Sequence, residues 1–179
     1  MSRLPPRSVA TRVAVSAMML LSFSPPGPAQ SPGPPAPSDR EAVLATVQAF
    51  FDTMAAKDAV GAQSLLMPEG AFHSVRMQDG KWVLRTFTNQ SYLRDLPGTK
   101  QRVRERIWSP EVRIRGRIAT VWAPYDFWKD GRLSHCGVDA FDLVQTAEGW
   151  KIAGGVYTVE REGCGSSPLG APRFAAPAP

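Results

Sequence analysis

The chain has 179 residues, 43% hydrophobic and 21% charged, with two histidines and two cysteines. That length and apolar content suit one compact domain with unstructured ends and exclude a chain that is disordered throughout. The formal net charge of +5 includes three arginines of an N-terminal leader that contains no acid, which leaves +2 on the remainder, so the basic balance is no argument for a nucleic-acid partner.

Nine of the 17 prolines precede Asp39 and four follow Gly165, which confines the folded part to about 39–160. Residues 1–29 run from a basic head (Arg3, Arg7, Arg12) through an apolar stretch, Val13 to Phe23, to the small-residue ending Gly27-Pro28-Ala29. This is the layout of a secretory signal peptide, and its apolar stretch is shorter than the ~20 residues that span a bilayer. The expectation is cleavage after Ala29, a periplasmic or secreted protein, and no stable membrane anchor once the leader is removed. Residues 30–38 are rich in proline and glycine and read as a disordered linker; residues 161–179 read as a disordered tail.

Ser38-Asp39-Arg40-Glu41 has the form of a capping box and opens a helix. Val43, Leu44, Val47, Phe50, Phe51 and Met54 then make one apolar stripe reaching about Lys57. Asp58 caps a second, short helix with Ala62, Leu65 and Leu66, which Pro68-Glu69-Gly70 is expected to end. Phe72–Met77 and Trp82–Phe87 flank Asp79-Gly80, a hairpin signal. Asn89–Leu96 reads as a short helix stopped by Pro97-Gly98. Arg102–Ile114 reads as a long strand bent at Ser109-Pro110, and its alternating arginines make a solvated face rather than a phosphate track. Ile118–Glu160 is an antiparallel meander with turns at Lys129-Asp130-Gly131 and Ala147-Glu148-Gly149.

Helices followed by antiparallel strands define an α+β domain, and a curved sheet only partly closed by the first helix leaves a pocket. Pairing Trp128 with Leu133 across the turn sets Asp126 opposite His135, Trp122 opposite Asp139 and Thr120 opposite Phe141. Period-two alternation then places Trp122, Asp126, His135, Asp139, Phe141 and Leu143 on the inward face. In an apolar pocket a His–Asp pair can exchange a proton with a ligand, which makes His135 and Asp139 the candidate catalytic residues, with Tyr125, Tyr92 and His73 as further donors. A shorter loop would move His135 away from Asp126 and turn Tyr125 toward the cavity. The alternative is that His135 and Asp139 only satisfy one another's polarity. Two histidines without H-x-x-H or C-x-x-C spacing argue against a metal site, no glycine-rich loop suggests a phosphate, and no cofactor is expected.

The helix Val43–Met54, the Trp122–Trp128 strand with Pro124-Tyr125, the run Ser134-His135-Cys136-Gly137-Val138-Asp139, and Phe141-x-Leu143 with Gly149-Trp150-Lys151-Ile152 resemble the nuclear transport factor 2-like superfamily, in particular its SnoaL-like and lumazine-binding-like branch. The resemblance covers about 39–160. It implies a cone-shaped, strongly curved antiparallel sheet with N-terminal helices on its concave face, a pocket inside the cone, and a homodimer formed through the sheet's outer face. The function expected is an exported small-molecule-binding or accessory domain; the alternative is a cofactor-independent lyase or isomerase of dehydratase or cyclase type using the His–Asp pair.

Cys136 alternates with His135 and so points away from the pocket, while Cys164 lies between two glycines just past the last strand. A disulfide between them is one reading; a small buried Cys136 with a free Cys164 is the other.

Overall fold

The computed structural model describes residues 38–174. The expected leader, and the linker before Ser38, lie outside the described residues. Helix α1 (Asp39–Ala56) begins at the capping box: Ser38 Oγ accepts from the Glu41 amide, and the Ser38 amide donates to Glu41 Oε2 at 2.8 Å. It stops at Lys57, whose left-handed φ of 59° no helix continues through. Helix α2 (Ala59–Leu65) is capped by Asp58, which accepts from the Gly61 amide at 2.9 Å. The helix ends before Pro68, because Leu66 is already paired with Ile152 of the last strand; Pro68–Gly70 instead form an irregular stretch within strand β1 (Leu66–Gln78).

Strand β2 (Lys81–Thr88) returns from β1 across Asp79-Gly80, both at positive φ as the tight hairpin turn demands. Thr88 caps helix α3 (Asn89–Asp95), which tightens into a 3-10 turn at Leu96–Gly98. The expected bent strand is two short ones, β3 (Val103–Ile107) and β4 (Glu111–Arg115), both laid against β5 (Ile118–Lys129). Strands β6 (Arg132–Thr146) and β7 (Gly149–Val159) complete a seven-stranded sheet in the order β2-β1-β7-β6-β5-β3, with β4 also on β5. All neighbours are antiparallel except β1 and β7, which run parallel.

Helix α1 lies across the inner face. Val43, Val47, Phe50 and Phe51 are buried there, and the Phe50 ring stacks on Phe72 of β1 at 5.7 Å and meets Phe141 of β6 edge-on at 6.3 Å. Trp150 and Ile152 are buried in the same core. Among the described residues no helix is long and apolar enough to cross a membrane.

The β5–β6 register departs from the expected one. Trp128 does pair with Leu133, but the next pair is Phe127 with His135, so Ser134 is an extra residue. This bulge slips the remaining ladder by one: Asp126 opposes Cys136, Trp122 opposes Ala140, and Thr120 opposes Asp142. With a side-chain period of two, one added residue reverses the faces of the pairing partners. Val121, Ala123 and Tyr125 therefore point into the core, and Trp122 and Asp126 point to the outer face.

The stretch 161–174, expected as a free tail, has no regular secondary structure but is fastened to the outer face. Cys136 and Cys164 form a disulfide with Cα atoms 5.8 Å apart, Arg106 Nη2 donates to the Gly170 carbonyl at 2.7 Å, and the Arg102 guanidinium lies 5.6 Å from the Phe174 ring centre.

Candidate functional site

Between α1, α3 and the inner face of the sheet is a cavity of about 230 Å³. Its walls are aromatic: Phe50 from α1, Phe72 and Phe87 from the hairpin, Tyr92 from α3, and Phe127, Phe141 and Tyr157 from the meander. Two glycines of the meander allow close packing around it. A Cβ at Gly155 would meet the Ala140 carbonyl at 2.5 Å and the Phe72 ring at 3.3 Å, and one at Gly137 would run into the Thr158 carbonyl and the Tyr125 ring.

The polar residues lining this wall are Glu105 from β3, His135 and Asp139 from β6, and Lys129 from the end of β5. Glu105 and Asp139 are both buried, and their carboxyl groups interact directly. Two carboxylates side by side out of water repel one another and lack hydration, so a proton is retained between them. Burial pushes Asp139 up to about 7, although its hydrogen bond to Glu105 acts the other way. Burial first, then the charge of Asp139, raises Glu105 well above the usual carboxylate range. Asp139 Oδ2 and the Tyr92 hydroxyl are buried without a hydrogen-bond partner among the described residues. Buried polar groups normally have a partner, so both atoms are open to a hydrogen bond from the cavity side.

His135 does not join the acid pair. Its Nδ1 is 3.1 Å from Ser134 Oγ, and its ring stacks on Phe127 at 4.8 Å. Burial, then the positive charges of Lys129 and Arg161, lower it to about 4, so the imidazole is neutral at pH 7. Among the described residues no three His, Cys, Asp or Glu side chains converge to hold a metal ion.

No protein-family model matches the sequence, and a search of curated proteins finds no match. Solved structures do match in shape. An NTF2-like protein from Cytophaga hutchinsonii superposes with a TM-score of 0.56 at 15% identity, over 68% of this chain and 98% of that one. An NTF2-like protein with a cystatin-like fold from Novosphingobium aromaticivorans gives 0.56 at 13% identity, over 70% and 84%. A proposed dehydratase of the NTF2-like family from Streptomyces avermitilis gives 0.53 at 18%, over 68% and 95%. The chain has the nuclear transport factor 2-like fold.

Within this NTF2-like domain the expected site residues divide into three groups. Asp139, His135, Phe141 and Tyr92 line the cavity. Tyr125 lies beneath it, 1% exposed, with its hydroxyl donating to the Thr158 carbonyl at 2.6 Å and its ring edge-on to His135. Trp122, Asp126 and His73 are not part of it. Trp122 is 55% exposed on the outer face, and Asp126 is buried on that same side, gripped by Arg106 with Nε to Oδ1 at 2.9 Å. His73 alternates with the inward Phe72 and pairs its Nδ1 with Thr86 at 2.9 Å. The first two are displaced by the bulge at Ser134, the third by the alternation of β1.

Glu105 is the residue that sequence reasoning missed. The run Val103-Arg104-Glu105-Arg106-Ile107 drew the eye to its arginines; its other face, Val103, Glu105 and Ile107, is an acid flanked by two apolar residues at period two, and that pattern points inward. A larger, more open groove of about 630 Å³ lies near the β1–β2 turn, between Arg76, Trp82, Glu160 and Arg161. Its mixed charges face solvent, so the aromatic cavity with the buried acid pair is the better candidate.

Proposed function

We propose that the domain binds a compact, largely apolar small molecule of one or two rings inside the cone, with an oxygen of the ligand held by Glu105 and Asp139. The observation that carries this reading is the buried, partnerless Oδ2 of Asp139 on the wall of an aromatic cavity. A proton shared by two carboxyls offers both a donor and an acceptor, the pair a hydroxyl or carbonyl oxygen needs. The volume of about 230 Å³ lies between the ~150 Å³ that holds a benzene ring and the ~300 Å³ where drug-sized pockets begin. Titration calorimetry with 2-naphthol tests the proposal: saturable binding that weakens about tenfold in Asp139→Ala is expected, the loss of one hydrogen bond to a charged group. No saturable binding would overturn it.

A second reading, cofactor-independent lyase or isomerase chemistry, is favoured by the raised protonation of the same pair, since one carboxyl can donate a proton while its partner accepts one. The acid–base pair is then Glu105 with Asp139, and His135 contributes at most a neutral imidazole. Dehydration of a cyclic β-hydroxyketone, with a pH optimum that disappears in both Glu105→Gln and Asp139→Asn, would support it; turnover indifferent to both substitutions would exclude it.

We also infer export to an oxidising compartment. The basic, apolar and small-residue succession in residues 1–29 supports it, as does a disulfide, a bond uncommon in reducing cytosol. Mature protein should begin near Gln30, and Met1 on protein recovered from cells would refute it.

A further inference from the structure

The cavity has a neighbour. A second hollow of about 340 Å³, between α3 with its 3-10 turn and strands β3 and β5, shares Met54, Phe87, Tyr92, Phe127 and Lys129 with the first. These five residues line both hollows, so the two adjoin at a neck, the first as inner chamber and the second as vestibule. Aromatic rings and the acid pair line the chamber, while Ser91, Asp95, Thr99 and Gln101 line the vestibule together with Leu96 and Val103.

Lys129 stands at the neck. It follows the inward Phe127 on β5 and sits on the same face, with Nζ 5.7 Å from the Phe127 ring centre. Among the described residues no carboxylate forms an ion pair with it. Its charge is felt inside the cavity, because Lys129 and Arg161 both disfavour protonation of His135. The exposed Lys129 cation lies between the acid pair of the chamber and Asp95 of the vestibule, itself paired with Arg94, so an anion is favoured at the neck and repelled from the inner end.

We propose that the ligand of this cavity is an aromatic carboxylate of one or two rings, bound ring-first, with its carboxylate held by Lys129 at the neck. The proposal rests on the binding function assigned to the cavity and adds the charge and the direction of entry. The ring fills the space between Phe50, Phe72 and Phe141, with a ring hydroxyl or carbonyl on the Glu105 and Asp139 pair. The ligand's chain or substituents, where it has them, leave through the vestibule.

The test compares 2-naphthoate with 2-naphthol by calorimetry on the wild type, Lys129→Met and Lys129→Arg at low salt. The proposal expects 2-naphthoate, a probe of the Lys129 contact alone, to bind the wild type, to lose about tenfold in Lys129→Met, and to recover in Lys129→Arg, as a hydrogen bond to a charged group would. Binding of 2-naphthol should stay within about twofold across the three, because a residue with a merely structural role would weaken both ligands alike. Binding of 2-naphthol with exclusion of 2-naphthoate, or equal loss of both in Lys129→Met, would overturn the anionic class and leave the binding function intact. Failure of both ligands on the wild type would overturn the two together.

Discussion

Strands β5 and β6 carry a buried aspartate on each side of one sheet, and the two live in opposite circumstances. On the outer face Asp126 is held by the Arg106 fork beneath a tail that the Cys136–Cys164 disulfide fastens down. On the inner face Asp139 meets another acid, Glu105, beside an aromatic cavity, and its Oδ2 has no partner among the described residues. An acid neutralised by an arginine is complete, and it serves the architecture. An acid set against an acid costs stability at neutral pH, a cost that the proposed ligand or reaction would use.

That contrast can be broken first at its strongest point. Arg106→Ala leaves Asp126 buried without its cation and should destabilise by roughly 3–5 kcal/mol in urea unfolding; a loss below about 1 kcal/mol would show that the outer pair is not structural. Cys164→Ser opens the loop between residues 136 and 164, which on chain-entropy grounds should cost about 3–4 kcal/mol, and it should expose the Arg106–Asp126 pair to faster hydrogen exchange in the neighbouring backbone.

The inner pair should behave with the opposite sign. Asp139, raised to about 7, holds its proton more tightly in the folded chain than in the unfolded one. The folded state is therefore spared below about pH 4 and loses stability as pH rises through about 7. Glu105→Gln should stabilise the protein at pH 8, on the order of 1–3 kcal/mol, the usual cost of a buried group left without its partner, and the gain should shrink toward pH 5. A variant less stable than wild type at pH 8 would mean that the pair is structural after all. The smallest effect belongs to Arg104→Ala. Arg104 reaches Asp52 at 3.5 Å, but both side chains are well exposed, so a change of about 0–1 kcal/mol is expected.

Much of the fold is legible in the sequence because local chemistry decides it. The Ser38–Glu41 box, the Asp79-Gly80 hairpin and the Val43–Phe51 stripe each need only neighbours in the chain, and each forms where the residues say. The site is less legible because it depends on contacts far apart in sequence. One extra residue at Ser134 exchanges the faces of Asp126 and Tyr125, and no residue type there announces a bulge. Glu105 meets Asp139 only because β3 and β6 flank β5 on either side, which the sequence of neither strand reveals.

The shared proton of Glu105 and Asp139 is tested most directly by carboxyl carbon NMR of the two side chains, titrated with and without 2-naphthol. The prediction is that the pair loses its proton well above the usual carboxylate range, with an apparent value near 7 for Asp139, and that the ligand moves this titration. Two carboxyls that ionise near pH 4, unmoved by the ligand, would contradict it.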